Sequence, residues 1–178
     1  MCDFVFSVLK KATLVSDSIC KHVKGLKGCT LQAYSGACIS DIIYNIKNGV
    51  TIVNFDVIIV HVGTNDIHTL NLSEFSFRLH KLISLIRHFN FSSKLIFFAI
   101  LPRPVDYFHS KYLVISFNNE LQRICKQRNV LFVATFRPFL RFGEPICALF
   151  SPLCNLHVNH QGNLKLANFF KQVLAHAL

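Results

Sequence analysis

The sequence predicts an α/β protein with three layers, in which helices cover both faces of a central, mainly parallel, five-stranded sheet. Two observations carry this prediction. Apolar runs rich in β-branched residues recur along the chain, and stretches with apolar residues at helical spacing lie between them. Such an alternation predicts a parallel sheet covered on both faces. The chain has 178 residues, 52% of them hydrophobic and 16% charged, so we expect a single domain over 1–178 with a sizeable core.

Five apolar runs predict the strands. The run at 56–62 is continuous, as expected of a central parallel strand that is buried on both faces, and the run at 94–100 repeats its pattern. The predicted strands are ATLV (12–15), CTLQAY (29–34), DVIIVHV (56–62), KLIFFAI (94–100) and NVLFVA (129–134).

Three helices are predicted from apolar stripes at helical spacing. Ser73 is the candidate N-cap of the first of them, and Gly162 precedes the last. A further helix-like segment is expected just after Ser18. The stripes are Phe75, Leu79, Leu82 and Ile86; Leu113, Phe117, Leu121 and Ile124; and Leu164, Ala167, Phe170 and Leu174.

Residues 137–154 show no regular period and predict a long loop, a kind of segment that is often functional in compact domains. Several phenylalanines lie in or beside it. They can line an acyl pocket or a membrane-facing lip, or they can pack in the core. These residues are Phe136, Phe139, Phe142 and Phe150.

The charge balance of the chain bears on its partners. Lysine and arginine number 19 against 9 acidic residues, a net charge of +10. This is compatible with contacts to RNA or to an anionic membrane surface, although a solvated basic face is the commoner explanation. No apolar run approaches the ~20 residues that a membrane span needs.

Seven cysteines without a C-x-x-C pair argue against a disulfide framework or a structural zinc site. They favour a reducing compartment, and we expect a cytoplasmic location.

His157 and His160 could suggest a metal pair, but no acidic third ligand is nearby, so we predict neither a metal nor a cofactor. Met1 lies only a dozen residues before the first strand, so the chain is compatible with a fragment of a longer protein.

Small or polar residues follow the first three predicted strands, and we expect them to meet at one edge of the sheet. Ser18 can be a nucleophile on a strand-to-helix turn, or a helix N-cap. Gly36 can bring its backbone N–H close to the point where an oxyanion would form, or it can simply allow the chain to turn. Asn65 can hold an oxyanion with a neutral amide, or form an Asx-turn. His157 can return over the sheet edge as a base for Ser18, or be a solvated loop residue.

In order and spacing, these segments resemble the SGNH (GDSL-type) hydrolase family over nearly the whole chain. VSDSI (15–19) is similar to the family's first block, AYSGA (33–37) to its second, VGTNDI (62–67) to its third and LHVNHQG (156–162) to its last. The resemblance implies a flavodoxin-like α/β/α fold. It also implies Ser18 as nucleophile, His157 as general base, and an oxyanion hole built from the Ser18 and Gly36 N–H groups and the Asn65 side chain.

Cys154 stands where the family usually has the aspartate that orients the histidine. A neutral thiol is a poor acceptor and brings no charge. A backbone carbonyl in the 151–155 loop or the Asn155 side chain could hold the His157 ring instead. Two hypotheses therefore remain: a serine esterase acting on small-molecule or lipid esters with a Ser18–His157 dyad, or a catalytically impaired module that binds lipid or nucleic acid.

A closer resemblance is to the esterase domain in the first open reading frame of some non-LTR retrotransposons. It is carried by TLVSDSICKHVKGLKGCTLQAYSGACISDI (13–42) and LPRP (101–104). It would fit a basic domain cut from a longer, RNA-associated protein.

Overall fold

The five predicted strands form one parallel sheet. The structure is a computed structural model that describes residues 11–49 and 52–177. The strand order is β2-β1-β3-β4-β5, and each neighbouring pair is parallel. The strands are β1 (Ala12–Ser16), β2 (Cys29–Ala33), β3 (Val57–His61), β4 (Lys94–Phe98) and β5 (Leu131–Val133).

Helices cover both faces of this sheet. The helices α1 (Ile39–Lys47), α2 (Leu72–Phe89) and α3 (Tyr107–Gln127) pack on one face. The helix α4 (His160–Ala177) packs on the other. The predicted fold class, a three-layer α/β/α arrangement with flavodoxin-like strand order, is therefore confirmed.

The continuous apolar runs of the central strands follow from this layering. In β3, Ile58 and Val60 enter the core under α1, α2 and α3, whereas Val57 and Ile59 enter the core under α4. All four side chains are fully buried. Because successive side chains of a strand point to opposite faces, a strand buried on both faces has no polar positions to alternate with.

The prediction of Ser73 as the N-cap of α2 is wrong. Asn71 is the N-cap, and its side-chain oxygen accepts from the Glu74 N–H at 2.9 Å. Glu74 in turn accepts from the Asn71 N–H at 3.2 Å, which completes a capping box. Ser73 lies inside the helix, so the first turn begins two residues earlier than predicted.

The apolar stripes of α3 and α4 are partly corrected. Leu113 is 40% exposed and Val114 is buried in its place, while Leu164 is 48% exposed and Leu166 is buried. In each helix a neighbouring apolar residue fits the helical period equally well, and the packing against the sheet decides between them. The helix α4 also begins at His160, before Gly162.

The helix expected after Ser18 is a single 3-10 turn, Ser18–Cys20. The N-terminus of the expected helix would favour negative charge at Ser18, but a three-residue turn has no extended helix dipole. The long helix of this region is α1, which the sequence prediction did not include. Its buried face consists of Ile39, Ile42, Ile43 and Ile46.

The loop predicted at 137–154 is largely irregular. It holds two 3-10 turns, Arg137–Phe139 and Cys147–Leu149, and a short hairpin of β6 (Leu140–Arg141) and β7 (Glu144–Pro145).

The phenylalanines of this segment have separate environments. Phe139 and Phe150 are buried in the core under α4, as the core interpretation expected. Phe142 is 96% exposed at the hairpin tip, and Phe136 packs beside the core under α3. Within 11–49 and 52–177, no helix has the length and apolarity that crossing a bilayer requires.

Candidate active site

The carboxyl ends of β1, β2 and β3 open onto one cavity of about 880 Å³. These three strands are neighbours in the sheet, so the loops that follow them meet at the same edge. The structure brings all five predicted site residues to this cavity. They are Ser18, Gly36, Asn65, Cys154 and His157.

Ser18 begins the turn that follows β1. Asp17 is the N-cap of this turn, and its carboxylate accepts from the Ile19 N–H at 3.0 Å. Ser18 is half-buried, and its hydroxyl faces His157 rather than a free backbone N–H. The capping task is thus performed by the neighbouring residue, which leaves the Ser18 hydroxyl free for His157.

His157 reaches Ser18 from the loop before α4. Its Nε2 lies 2.9 Å from the Ser18 Oγ, within hydrogen-bond distance. The loop is held at both ends: Phe150 and Val158 form an antiparallel bridge, and the Ser151 N–H donates to the His157 carbonyl at 2.7 Å. A nucleophile and base in this geometry can transfer a proton.

The second ring nitrogen of His157 faces Cys154, not the Asn155 side chain or a carbonyl as considered above. The distance from Nδ1 to the Cys154 Sγ is 3.3 Å, and the His157 N–H also points at this sulfur, at 3.5 Å. If Nε2 accepts the Ser18 proton, Nδ1 must carry a hydrogen, and the sulfur is its acceptor.

The Cys154 thiol is more acidic than an ordinary thiol. Hydrogen bonds to the sulfur from the backbone N–H groups of His157 and Leu156, together with the His157 ring, lower its pKa to about 7, although partial burial opposes this. The lowered pKa favours the thiolate, which brings the negative charge that a neutral thiol lacks. The residue types alone do not reveal these backbone donors.

Two residues that line the same cavity as Ser18, Gly36 and Asn65, are candidate oxyanion donors. Gly36 has a φ of +71°, a conformation that favours glycine. The Asn65 Nδ2 donates one hydrogen to the Ala37 carbonyl at 3.0 Å. That bond orients the amide and leaves its second hydrogen for another acceptor. Within the described residues, no acceptor binds the backbone N–H groups of Ser18 or Gly36.

The loop that carries Asn65 is tightly packed. Gly63 has a φ of +114°, and a Cβ there would lie 2.7 Å from the Ile100 side chain. Asp66 is buried and its carboxylate accepts from the Ile39 N–H at 3.1 Å, which ties the loop to the start of α1. Burial raises the pKa of Asp66 to about 6. Its role was not predicted, although Asp66 belongs to the VGTNDI block.

A buried pair of a carboxylate and a histidine lies next to Ser18. The Asp17 carboxylate is 3.6 Å from the His61 Nδ1, and neither side chain is exposed to solvent. Burial lowers the pKa of His61, but the side chains of Cys20 and Asp17 raise it, to well above its ordinary value. The pair was missed because a histidine at the end of a buried strand has no distinctive sequence pattern.

Arg103 connects the Asn65 loop to the His157 loop. Its guanidinium donates to the Thr64 carbonyl at 2.7 Å and to both carboxylate oxygens of Asp106. In the same turn, the Val105 N–H donates to the Asn155 carbonyl at 2.8 Å. Burial raises the pKa of Asp106, but hydrogen bonds from Arg103 and His68 lower it well below its usual range.

His160, considered above as half of a metal pair, is exposed at the first residue of α4 and lines the cavity with His157. Over the described parts of the chain, no three histidine, cysteine or acidic side chains are grouped so that they could hold a metal ion.

Several solved structures share this fold. A GDSL-like lipase from Bacteroides thetaiotaomicron superposes with a TM-score of 0.80 at 15% identity, over 96% of this chain and 90% of the lipase. A putative acylhydrolase from Bacteroides fragilis gives a TM-score of 0.79 at 14% identity, over 94% of this chain and 87% of that one. The lipase/acylhydrolase from Enterococcus faecalis gives 0.73 at 15% identity, over 94% and 96%.

The fold is thus that of GDSL-like lipases and acylhydrolases. No protein-family model and no curated protein matches the chain. At these identities the likeness concerns the fold, and the assignment of an activity depends on the site.

Proposed function

We propose that this chain is a serine esterase of the SGNH type, which hydrolyses carboxylic esters of small molecules or lipids. The observation that carries the proposal is the 2.9 Å approach of the His157 Nε2 to the Ser18 Oγ, in a cavity that also contains Gly36 and Asn65. Nucleophile, base and oxyanion donors are the three parts that acyl transfer requires.

The reaction proceeds in two steps. The Ser18 Oγ attacks the ester carbonyl carbon while His157 takes its proton, and the Ser18 and Gly36 N–H groups and the Asn65 amide stabilise the oxyanion. His157 then returns the proton to the departing alcohol as the ester bond breaks, which leaves an acyl group on Ser18. Water, activated by the same imidazole, releases the acid and restores the serine.

Cys154 supports His157 in this scheme. A thiolate at 3.3 Å from Nδ1 accepts its hydrogen and stabilises the imidazolium that forms in each step. The proposed catalytic set is therefore Ser18, His157 and Cys154, in which sulfur replaces the oxygen of the usual carboxylate.

The first test compares purified wild-type protein with Ser18→Ala on short 4-nitrophenyl esters. The proposal expects turnover in the wild type and its loss in the variant, together with covalent labelling of Ser18 by a fluorophosphonate probe. Equal rates in the two proteins, or a wild type that the probe does not label, would refute it.

A second candidate is a catalytically impaired module of the same fold that binds RNA or an anionic membrane surface. The net charge of +10 favours it. It predicts no fluorophosphonate labelling, and binding of RNA or of vesicles with anionic lipid that weakens steeply with salt. Labelling at Ser18 would eliminate the inert version.

We also propose that residues 1–178 act as one esterase domain in the cytoplasm, of the kind found in the first open reading frame of non-LTR retrotransposons. The segments 13–42 and 101–104 support this origin. Fractionation of cells that express the natural gene product tests the location, and recovery of the product from the secretory pathway would contradict it.

A further inference from the structure

The cavity at Ser18 has two walls of different chemistry. Residues just after the nucleophile contribute Lys21, His22 and Lys24 to one wall. The loop before α4 and the helix itself contribute apolar side chains to the other, among them Leu153, Leu156 and Leu164. Leu153 is 95% exposed at the rim of this second wall. A substrate in the cavity can therefore contact both cationic and apolar side chains.

No carboxylate of residues 11–49 or 52–177 balances the lysines of this wall. The lining of the cavity contains no aspartate or glutamate. The nearest acidic residue along the chain, Asp17, is buried and faces His61. Among the residues that the structure describes, Lys21 and Lys24 form no ion pair with a carboxylate. Their charge is thus available to a ligand.

Lys21 is placed next to the proposed oxyanion donors. It ends the turn that Ser18 begins, and its N–H donates to the Ser18 carbonyl at 3.2 Å. Its Nζ lies 3.4 Å from the Ser35 Oγ, one residue before Gly36. The ammonium group is therefore held between the nucleophile turn and the Gly36 turn, beside the point where an ester carbonyl would bind.

We propose that this pocket selects esters that carry a negative charge near the reacting carbonyl, and that Lys21 is the residue that determines this specificity. The inference depends on the proposed esterase activity and names its substrate class: an amphiphilic ester with an anionic group and an apolar group. A lysine near the protein surface interacts with an anion a few ångströms away strongly enough to change kcat/KM by about tenfold.

The test uses two matched ester pairs. Mono(4-nitrophenyl) glutarate and 4-nitrophenyl pentanoate differ in charge on the acyl side, and 4-acetoxybenzoate and 4-acetoxybenzamide differ in charge on the alcohol side. For at least one pair, we expect wild-type kcat/KM to be about tenfold higher for the anionic ester. The preference should shrink as salt is added, because salt screens exposed charges.

Lysine variants test whether Lys21 causes the preference for the anionic ester. Lys21→Gln should remove the preference and Lys21→Arg should keep it. Lys126→Gln is the matched control, because Lys126 is an exposed lysine at the end of α3, on the opposite face of the sheet. The preference of this variant for the anionic ester should equal that of the wild type.

The outcomes separate this inference from the proposed function. Turnover of neutral esters without preference in either pair, or a preference that survives in Lys21→Gln, overturns the inference and leaves the esterase standing. If wild type hydrolyses no ester and the fluorophosphonate probe does not label Ser18, the proposed function fails and this inference fails with it.

Discussion

At the scale of single residues, the least expected feature is the cysteine sulfur that contacts the ring of His157. The sequence suggested a defect at Cys154, because a neutral thiol neither accepts a hydrogen bond well nor carries charge. The folded loop changes the thiol: backbone N–H groups converge on the sulfur and lower its pKa to about 7. The defect predicted from residue type is thus partly offset by main-chain geometry that the residue type does not reveal.

Replacing Cys154 by aspartate should change how activity depends on pH. In the wild type, kcat/KM should fall as pH decreases through about 7, because protonation of the thiolate removes the charge behind His157. An aspartate stays ionised well below that pH, so Cys154→Asp should be about tenfold more active than wild type at pH 6, with a smaller gain at pH 8.

The measurement is kcat/KM on a neutral 4-nitrophenyl ester from pH 5.5 to 8.5. Cys147→Asp is the control, because Cys147 is an exposed cysteine that does not line the cavity. A gain in Cys154→Asp that is equal at every pH would contradict a thiolate role for Cys154.

At the scale of elements, the turn at 103–106 connects two loops that would otherwise be independent. Arg103 holds the Thr64 carbonyl beside Asn65, and Val105 holds the Asn155 carbonyl beside the Cys154–His157 segment. The sequence could not predict this connection, because Thr64, Arg103 and Asn155 come from three separate loops. Only the packing of the folded chain brings them together.

Removing the Arg103 side chain should therefore lower kcat by more than the accompanying loss of stability would explain. Arg103→Met keeps the apolar stem but loses the hydrogen bond to Thr64, so we expect kcat to fall by about tenfold or more through misplacement of Asn65. Arg123→Met is a matched control, since Arg123 forms the same i,i+3 pair with Glu120 on the exposed face of α3.

The two arginine variants are compared by kcat, KM and the free energy of unfolding in urea. Arg103→Lys should restore part of kcat, because a lysine can still donate one hydrogen bond toward Thr64. Equal losses of kcat in Arg103→Met and Arg123→Met would show that Arg103 has no positioning role.

At the scale of the whole molecule, the sheet was predictable and the details of the helices were not. Ile58 and Ile59 are both fully buried, so the apolar run of β3 is visible in the sequence. The helix α1 was not predicted, although its buried isoleucines recur at helical spacing. The N-cap of α2 was predicted at Ser73, whereas the reciprocal hydrogen bonds with Glu74 place it at Asn71.

The candidate site likewise has features that the sequence predicts and features that it does not. The meeting of Ser18 with His157 was predicted from the order and spacing of the motifs that contain them. The pairing of Asp17 with His61 and the connection through Arg103 depend on side-chain packing between distant segments, which residue patterns do not encode.

The stability of the whole fold should depend on the ionisation of Asp66. Its pKa rises from 3.8 to about 6 on folding because the carboxyl is buried. The folded state therefore favours the protonated form, and the stability that this preference contributes is complete below pH 3.8 and is lost as pH rises through about 6. The loss amounts to roughly 3 kcal/mol by pH 7.

Asp66→Asn should remove this dependence, since asparagine can accept from the Ile39 N–H and does not titrate. Relative to wild type, the variant's free energy of unfolding should increase by roughly 3 kcal/mol between pH 3.5 and pH 7 in urea titrations. Glu144→Gln, in the exposed hairpin, controls for the loss of one negative charge. A constant difference between Asp66→Asn and wild type across this range would contradict the expected burial effect.

In the proposed esterase, the hydrogen bond between Ser18 and His157 would also make activity a measure of folding. The two residues are 139 positions apart, one at the end of the first strand and the other just before the last helix. A partly folded chain with a complete β1–β3 sheet but an undocked α4 would have a nucleophile without its base. Recovery of esterase activity during refolding should consequently follow the slowest tertiary step, because contacts so distant along the chain form late.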